Sequence, residues 1–173
     1  DVYGGNGLFL DMVNEQQGRL YEVIDDRNYL LRWGSYITDN GPSITLRILD
    51  VDARVECVGL DTLGVLPTHE ATLLRCLNST GGAIIFGGVP GSGKTVSIGQ
   101  LIVRLPQTRK INTLEDPVEL QFRNALQATF ARTLNGLDRE ALAAKLNALK
   151  RAAGTDAFLG EVRDDLTGDA FVD

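Results

Sequence analysis

Long apolar runs are missing from this sequence. The longest clean one, Ala83-Ile84-Ile85-Phe86, is far below the roughly 20 residues that a bilayer-crossing helix needs. No transmembrane helix is expected. Basic charge is in deficit too: 17 Lys and Arg stand against 23 Asp and Glu, for a net charge of −6 and a pI near 4.8. That balance excludes a generally basic nucleic-acid-binding surface. Cysteine is scarce, and Cys57 and Cys76 match no metal spacing, so two free buried thiols are expected. The single histidine, His69, is read as a surface residue. The start of the chain carries neither the basic nor the apolar segment of a secretory signal and no Met, which points to a processed or truncated chain. What is present is 173 residues at 43% hydrophobic, enough for one full domain or a small domain plus part of another.

The first 26 residues carry little pattern, because Gly4, Gly5 and Gly7 interrupt them and Leu8 to Asn14 offers only a short apolar stretch. Tyr29 to Ile37 and Ser43 to Leu49 are rich in β-branched and aromatic residues, and in the second run Ile44, Leu46 and Ile48 alternate with Thr45 and Arg47. Asn40-Gly41-Pro42 between them supplies a turn, so two neighbouring strands with one polar face are expected. Leu60 to Pro67 reads as a connector, with a domain boundary near residue 60. Thr68 is placed to cap a helix bearing Ala71, Leu74 and Leu77, which Gly81-Gly82 would stop. Ala83 to Phe86 then reads as a buried strand, Lys94 to Arg104 as a helix and Ile111 to Leu114 as the next parallel strand. Asp138 to Ala153 carries Leu142, Leu146 and Leu149 at helical spacing, with Gly154 to end it and Asp156 to Leu159 as a third short strand.

The strongest motif is Gly88-Val89-Pro90-Gly91-Ser92-Gly93-Lys94-Thr95, which fits G-x-x-x-x-G-K-[ST] at every fixed position. Glycines let the backbone curl until its N–H groups face an anion, and the helix after the loop aims its positive dipole end at the same point. Lys94 would neutralise β- and γ-phosphates, and Thr95 would offer a hydroxyl oxygen to Mg²⁺. The phosphate-binding set is Gly88, Pro90, Gly91, Ser92, Gly93, Lys94, Thr95 and Val96. A phosphate loop alone does not separate a motor from a kinase or a GTPase.

Two acidic segments lie further along the chain. Thr113-Leu114-Glu115-Asp116-Pro117-Val118-Glu119 places carboxylates after an apolar strand, where one can orient an attacking water. Phe158-Leu159-Gly160-Glu161-Val162-Arg163-Asp164 ends another strand in acid, as a Mg²⁺-associated residue should.

Gly91-Ser92-Gly93-Lys94-Thr95, then Leu114-Glu115-Asp116-Pro117-Val118-Glu119, then Gly160-Glu161-Val162-Arg163-Asp164 resemble the secretion ATPase superfamily, the motors of type II secretion, type IV pili and conjugative or type IV secretion. The resemblance runs from about Tyr29 to the end. It implies a small α/β N-terminal domain, placed at residues 1–60, and a P-loop ATPase domain with a RecA-like core at 61–173, truncated on its C-terminal side before the His box. It implies ATP and Mg²⁺, a hexameric homo-oligomer, a cytoplasmic position peripheral to the inner membrane, and a membrane platform, secretion or pilus protein as partner. By position, Glu115 matches the glutamate proposed to activate water, and Glu161 the Walker B glutamate near the metal, with Thr95. Arg32 and Arg47 match the N-terminal arginines that reach the nucleotide, with Leu60 to Pro67 as the hinge. Two departures stand out: only Ala157, Phe158 and Leu159 separate Asp156 from Gly160-Glu161, one fewer than usual, and Asn135 to Lys145 suggests an insertion. A nucleotide or metabolite kinase, and a regulatory subunit that binds nucleotide without turnover, are the alternatives.

Overall fold

The computed structural model describes residues 2–6, 8–130 and 138–172. Four antiparallel strands come first, β1 (Val2–Gly4), β2 (Gln16–Ile24), β3 (Arg27–Thr38) and β4 (Gly41–Asp50), paired in that order. The expected pair of strands is present and longer than the β-branched runs. Gly41, at φ +107, makes the turn between β3 and β4, and Thr38 Oγ1 donates to its carbonyl oxygen at 2.6 Å. Among the described residues this sheet carries no α-helix, so the α/β character of the chain comes from the residues after 60.

The unreadable start holds β1, all of β2 and a built loop. Asp11, buried, accepts hydrogen bonds from the N–H groups of Asn6, Val13 and Asn14 at 2.7, 2.8 and 3.0 Å. Its own N–H donates to Gln16 Oε1, while the Gln16 N–H donates to Ser35 Oγ on β3.

The second unit is a parallel sheet ordered β6–β5–β7, from β5 (Ile111–Glu115), β6 (Ala125–Thr129) and β7 (Asp156–Leu159). Central β5 is buried throughout. Its alternation divides the core: Ile111 packs with Val55, Ile102, Leu105 and Phe122 on one side, and Leu114 with Leu142 and Leu146 on the other. Helices α1 (Pro67–Leu77) and α2 (Lys94–Ile102) precede the sheet in the chain. Helix α3 (Arg139–Arg151) lies between β6 and β7, and α4 (Asp165–Val172) closes the order. Gly99 is required where α2 meets its neighbours, since a Cβ there would lie 2.8 Å from the Phe122 ring and 3.1 Å from Val55.

Several local expectations are corrected. Ala83 to Phe86 is not a strand: its backbone joins no ladder, and Ile85 is 78% exposed, because an apolar run becomes a strand only where a partner strand lies beside it. Helix α1 starts at Pro67 rather than after Thr68, since proline at the first position needs no N–H and already has a helical φ. It stops at Leu77, before Gly81. Helix α2 ends at Ile102 rather than Arg104. After α3 the left-handed residue is Ala153, at φ +50, not Gly154. Cys57 and Cys76 are free, as expected, but exposed rather than buried. Of the suspected insertion, residues 135–137 lie outside the described residues, and 139–145 belong to α3.

The chain passes from the first sheet to the second unit over residues 50–60. Val51 N–H donates to Asn28 O, and Asn28 N–H to Asp52, which ties this stretch to β3. Gln121 holds the stretch from the other side, its Nε2 donating to Val51 O, its N–H to Ala53 O and its carbonyl accepting from Val55 N–H. Val55 enters the core, and Leu60 is 1% exposed in a short 3-10 turn (Leu60–Leu63). The stretch read as the hinge, Leu60 to Pro67, is therefore anchored at its first residue.

Candidate active site

The phosphate loop has the backbone that its sequence demands. Gly91 and Gly93 take φ of +78 and +84, where a side chain is strained, and Gly93 sits at the N-cap of α2. A Cβ on Gly88 would lie 2.7 Å from Ser92 Oγ, so a side chain there would have to turn that hydroxyl aside. Lys94 folds back over it, its Nζ donating to the carbonyls of Gly88 and Val89 at 2.8 and 2.9 Å. That ammonium covers the mouth of the curl, where an anion would offer it better acceptors.

A cavity of about 420 Å³ opens between the first sheet and the second unit. Thr95, Glu115, Glu161, Arg32 and Arg47 all line it, so five residues singled out from the sequence meet at one place. Gly88, Pro90, Gly91, Ser92, Gly93, Lys94 and Val96 are not in its lining; they form the loop and first helical turn on either side of Thr95.

The wall from the first sheet is a row of cations. Register sets Arg19 of β2 opposite Arg32 of β3, and Arg32 opposite Arg47 of β4, so the three lie side by side on one face. Like charges directly opposite one another across strands oppose sheet formation, and a row of three makes sense only against negative charge. Arg32 supplies part of the answer, donating to the Asp116 carbonyl oxygen at 3.0 Å, with its other nitrogen 3.8 Å from Asp116 Oδ1. Asp116 Oδ1 is itself buried and has no hydrogen bond among the described residues. Arg19 was missed in the sequence. The β-branched and aromatic content of Leu20-Tyr21-Glu22-Val23-Ile24, ending at the Asp25-Asp26 turn, is the signal that could have shown a third strand.

The facing wall is acidic. Glu115 ends β5, 4% exposed, and its Oε1 accepts from Thr113 Oγ1 at 2.5 Å and from Gln127 Nε2 at 3.0 Å. Burial pushes its carboxyl above the ordinary range and Glu119 acts in the same direction, while the bonds from Thr113 and Gln127 oppose them. Glu161 lies just past β7 and pairs with Arg163, Nε to Oε2 at 2.7 Å. The two acidic segments approach closely because residue 160 is glycine: a Cβ there would lie 3.1 Å from Glu115 Cα. Gly160 N–H also donates to Leu114 O at 2.8 Å, which extends the β5–β7 pairing to the site.

For Mg²⁺ the fit is that of a site completed by its substrate. Among the described residues no cluster of three His, Cys, Asp or Glu can hold a metal, yet Thr95 and Glu161 share the cavity. An ion there would draw its remaining ligands from phosphate oxygens and water.

Comparison with known proteins finds relatives over most of this chain. Competence protein ComGA of Bacillus subtilis is 32% identical over 159 residues, 91% of this chain and 43% of its own length. The type IV pilus assembly ATPase PilB of Acinetobacter baylyi is 32% identical over 151 residues, 86% of this chain and 25% of its own. The chain thus spans less than half the length of these curated relatives. Among solved structures, the Legionella pneumophila ATPase DotB superposes with a TM-score of 0.62 at 18% identity, over 90% of this chain and 43% of that one. The pilus retraction motor PilT, solved with bound ADP, gives 0.60 at 24% identity, over 88% of this chain and 42% of that one. At those identities the likeness is one of fold. The family model described as type II/IV secretion system protein matches residues 10–172, and the chain belongs to that family.

Proposed function

We propose that the chain is the nucleotide-binding and hydrolysing part of an ATP-driven motor that powers pilus assembly, protein secretion or conjugative transfer. The observation that carries this reading is the facing of the Arg19–Arg32–Arg47 row and the Glu115 and Glu161 carboxylates across one cavity that also takes in Thr95. Hydrolysis of a phosphoanhydride needs anion-binding groups and a carboxylate that handles water, and these two walls provide them. Relatives named as pilus assembly ATPases support the direction.

In this reading the loop N–H groups and Lys94 bind the β- and γ-phosphates, Lys94 exchanging the carbonyls of Gly88 and Val89 for phosphate oxygens. Glu115 accepts a hydrogen bond from the attacking water and turns it toward the γ-phosphate. Thr95 and Glu161 would hold Mg²⁺, whose chemistry is to neutralise charge that builds on the phosphate oxygens. The arginines stabilise the same charge from the opposite side. The first sheet acts as the moving unit and the parallel sheet with its helices as the ATPase unit, with the boundary drawn earlier than residue 60, because Val51 O and Ala53 O both accept from Gln121 and Val55 lies in the second unit's core. The working form is a hexameric ring, cytoplasmic and peripheral at the inner membrane, docked on a membrane platform, secretion or pilus protein.

Nucleotide titration and turnover test this. Lys94→Ala should abolish useful ATP binding. Glu115→Gln and Glu161→Gln should keep binding and slow hydrolysis in the full-length protein at least about tenfold, roughly 1.4 kcal/mol of barrier. Unchanged affinity in the first variant, or parental rates in both of the others, would refute the assignment.

A further inference from the structure

Among the described residues, both hydrogen bonds to the Glu115 carboxylate fall on one oxygen. Oε1 accepts from Thr113 and Gln127, while Oε2 takes part in neither bond. Thr113, Glu115 and Gln127 share one face of the sheet, since Thr113 and Glu115 are two apart on β5 and parallel register places Gln127 of β6 beside Thr113. The Gln127 amide is fixed in turn. Its Oε1 accepts the Phe122 N–H at 2.7 Å, which assigns both amide protons to Nε2, and these go to Leu120 O at 2.8 Å and Glu115 Oε1 at 3.0 Å. Phe122 is 3% exposed, so the anchor of this chain of bonds is core.

We propose that Gln127 is a positioning residue for hydrolysis, holding Glu115 by Oε1 so that Oε2 is presented to the cavity. The inference rests on the proposed role of Glu115 in handling water and adds the group that orients it. A glutamate side chain is long enough to rotate out of line, and a water held by it must be placed within a fraction of an ångström of its productive position. One donor on one oxygen leaves the carboxylate plane loose. Two donors, from a residue on the same strand and one on the next, fix it. Gln127 suits the task better than glutamate, which could supply no donor while ionised and would set a second negative charge against Glu115.

The test is a cycle of turnover and ATP affinity in the full-length protein with Gln127→Glu, Glu115→Gln and the two together. Gln127→Glu keeps an oxygen for the Phe122 N–H and loses the donors, so it separates the loop-holding task from the positioning one. Gln127→Met, uncharged and of similar length, goes through the same cycle should Gln127→Glu not fold. The expected result is a kcat at least about fivefold lower with KM for ATP within about twofold, and no further loss when the change is added to Glu115→Gln. Parental kcat in Gln127→Glu beside a slowed Glu115→Gln, or losses that multiply in the double variant, would overturn the inference and leave the functional reading intact. Parental turnover in Glu115→Gln, or no turnover in the unsubstituted protein, would overturn the functional reading and the inference with it.

Discussion

Arg32 reaches from the first sheet to the main chain of Asp116, the residue after Glu115, and donates to its carbonyl oxygen at 3.0 Å. A cation from the arginine row thus touches the backbone of the segment that carries the water-handling carboxylate. The bond links the first sheet directly to that segment across the cavity.

The close approach of the two acidic segments makes Gly160 a sensitive position. Gly160→Ala places a Cβ 3.1 Å from Glu115 Cα and 3.3 Å from its Cβ, atoms that cannot swing aside. The expected cost is about 1–3 kcal/mol of stability from overpacking. Turnover should fall further than nucleotide affinity, because the displaced residue is Glu115. Thermal unfolding with a parallel turnover assay checks both.

Glu115 carries a pH signature. Its folded-state carboxyl lies above the ordinary 4.5 because of burial. The folded protein therefore holds that proton more tightly than the unfolded chain does. Stability from this group is whole below the unfolded value and is lost as pH rises through the raised folded value. Glu115→Gln never ionises and escapes the loss. The variant should match the parent's stability in acid and exceed it near neutral pH, while its turnover is lower. Denaturant midpoints across that pH range measure it, and a variant less stable than the parent at neutral pH would contradict the assignment.

How much of this was legible in the sequence varied with how local the cause is. The phosphate loop and the β3–β4 hairpin rest on neighbours in the chain, glycines at fixed spacing and alternation around Asn40-Gly41, and both were readable. Arg19 was not, because its meaning lies in a register with Arg32 that the glycine-rich start conceals. Ala83 to Phe86 misled for the converse reason: its residues suit a strand, but pairing is decided by what lies beside it. Gln127 sits in a short strand with no motif, and only the parallel register with Thr113 shows what it does.

Asp11 illustrates the same limit at the start of the chain and gives a further prediction. The N–H groups of Val13 and Asn14 are the largest of the influences that hold its carboxyl at about 2, against an ordinary 3.8. With the folded value depressed, its contribution to stability is present above about pH 3.8 and is lost as pH falls through about 2. Asp11→Ala should lower the melting temperature at neutral pH, and the gap to the parent should close as acid is added over that window. A constant gap would show that the side chain acts by packing alone.

In the proposed mechanism the arginine row and the phosphate loop serve one nucleotide from opposite sides, and everything else depends on that. The decisive comparison is the affinity of Arg47→Ala for ADP and for a non-hydrolysable ATP analogue, because only the analogue carries the phosphate that the row would contact. Analogue affinity should fall about tenfold, equivalent to about 1.4 kcal/mol, with ADP affinity within about twofold of the parent. Equal losses for the two nucleotides, or no change in either, would show that the row and the loop do not share a ligand.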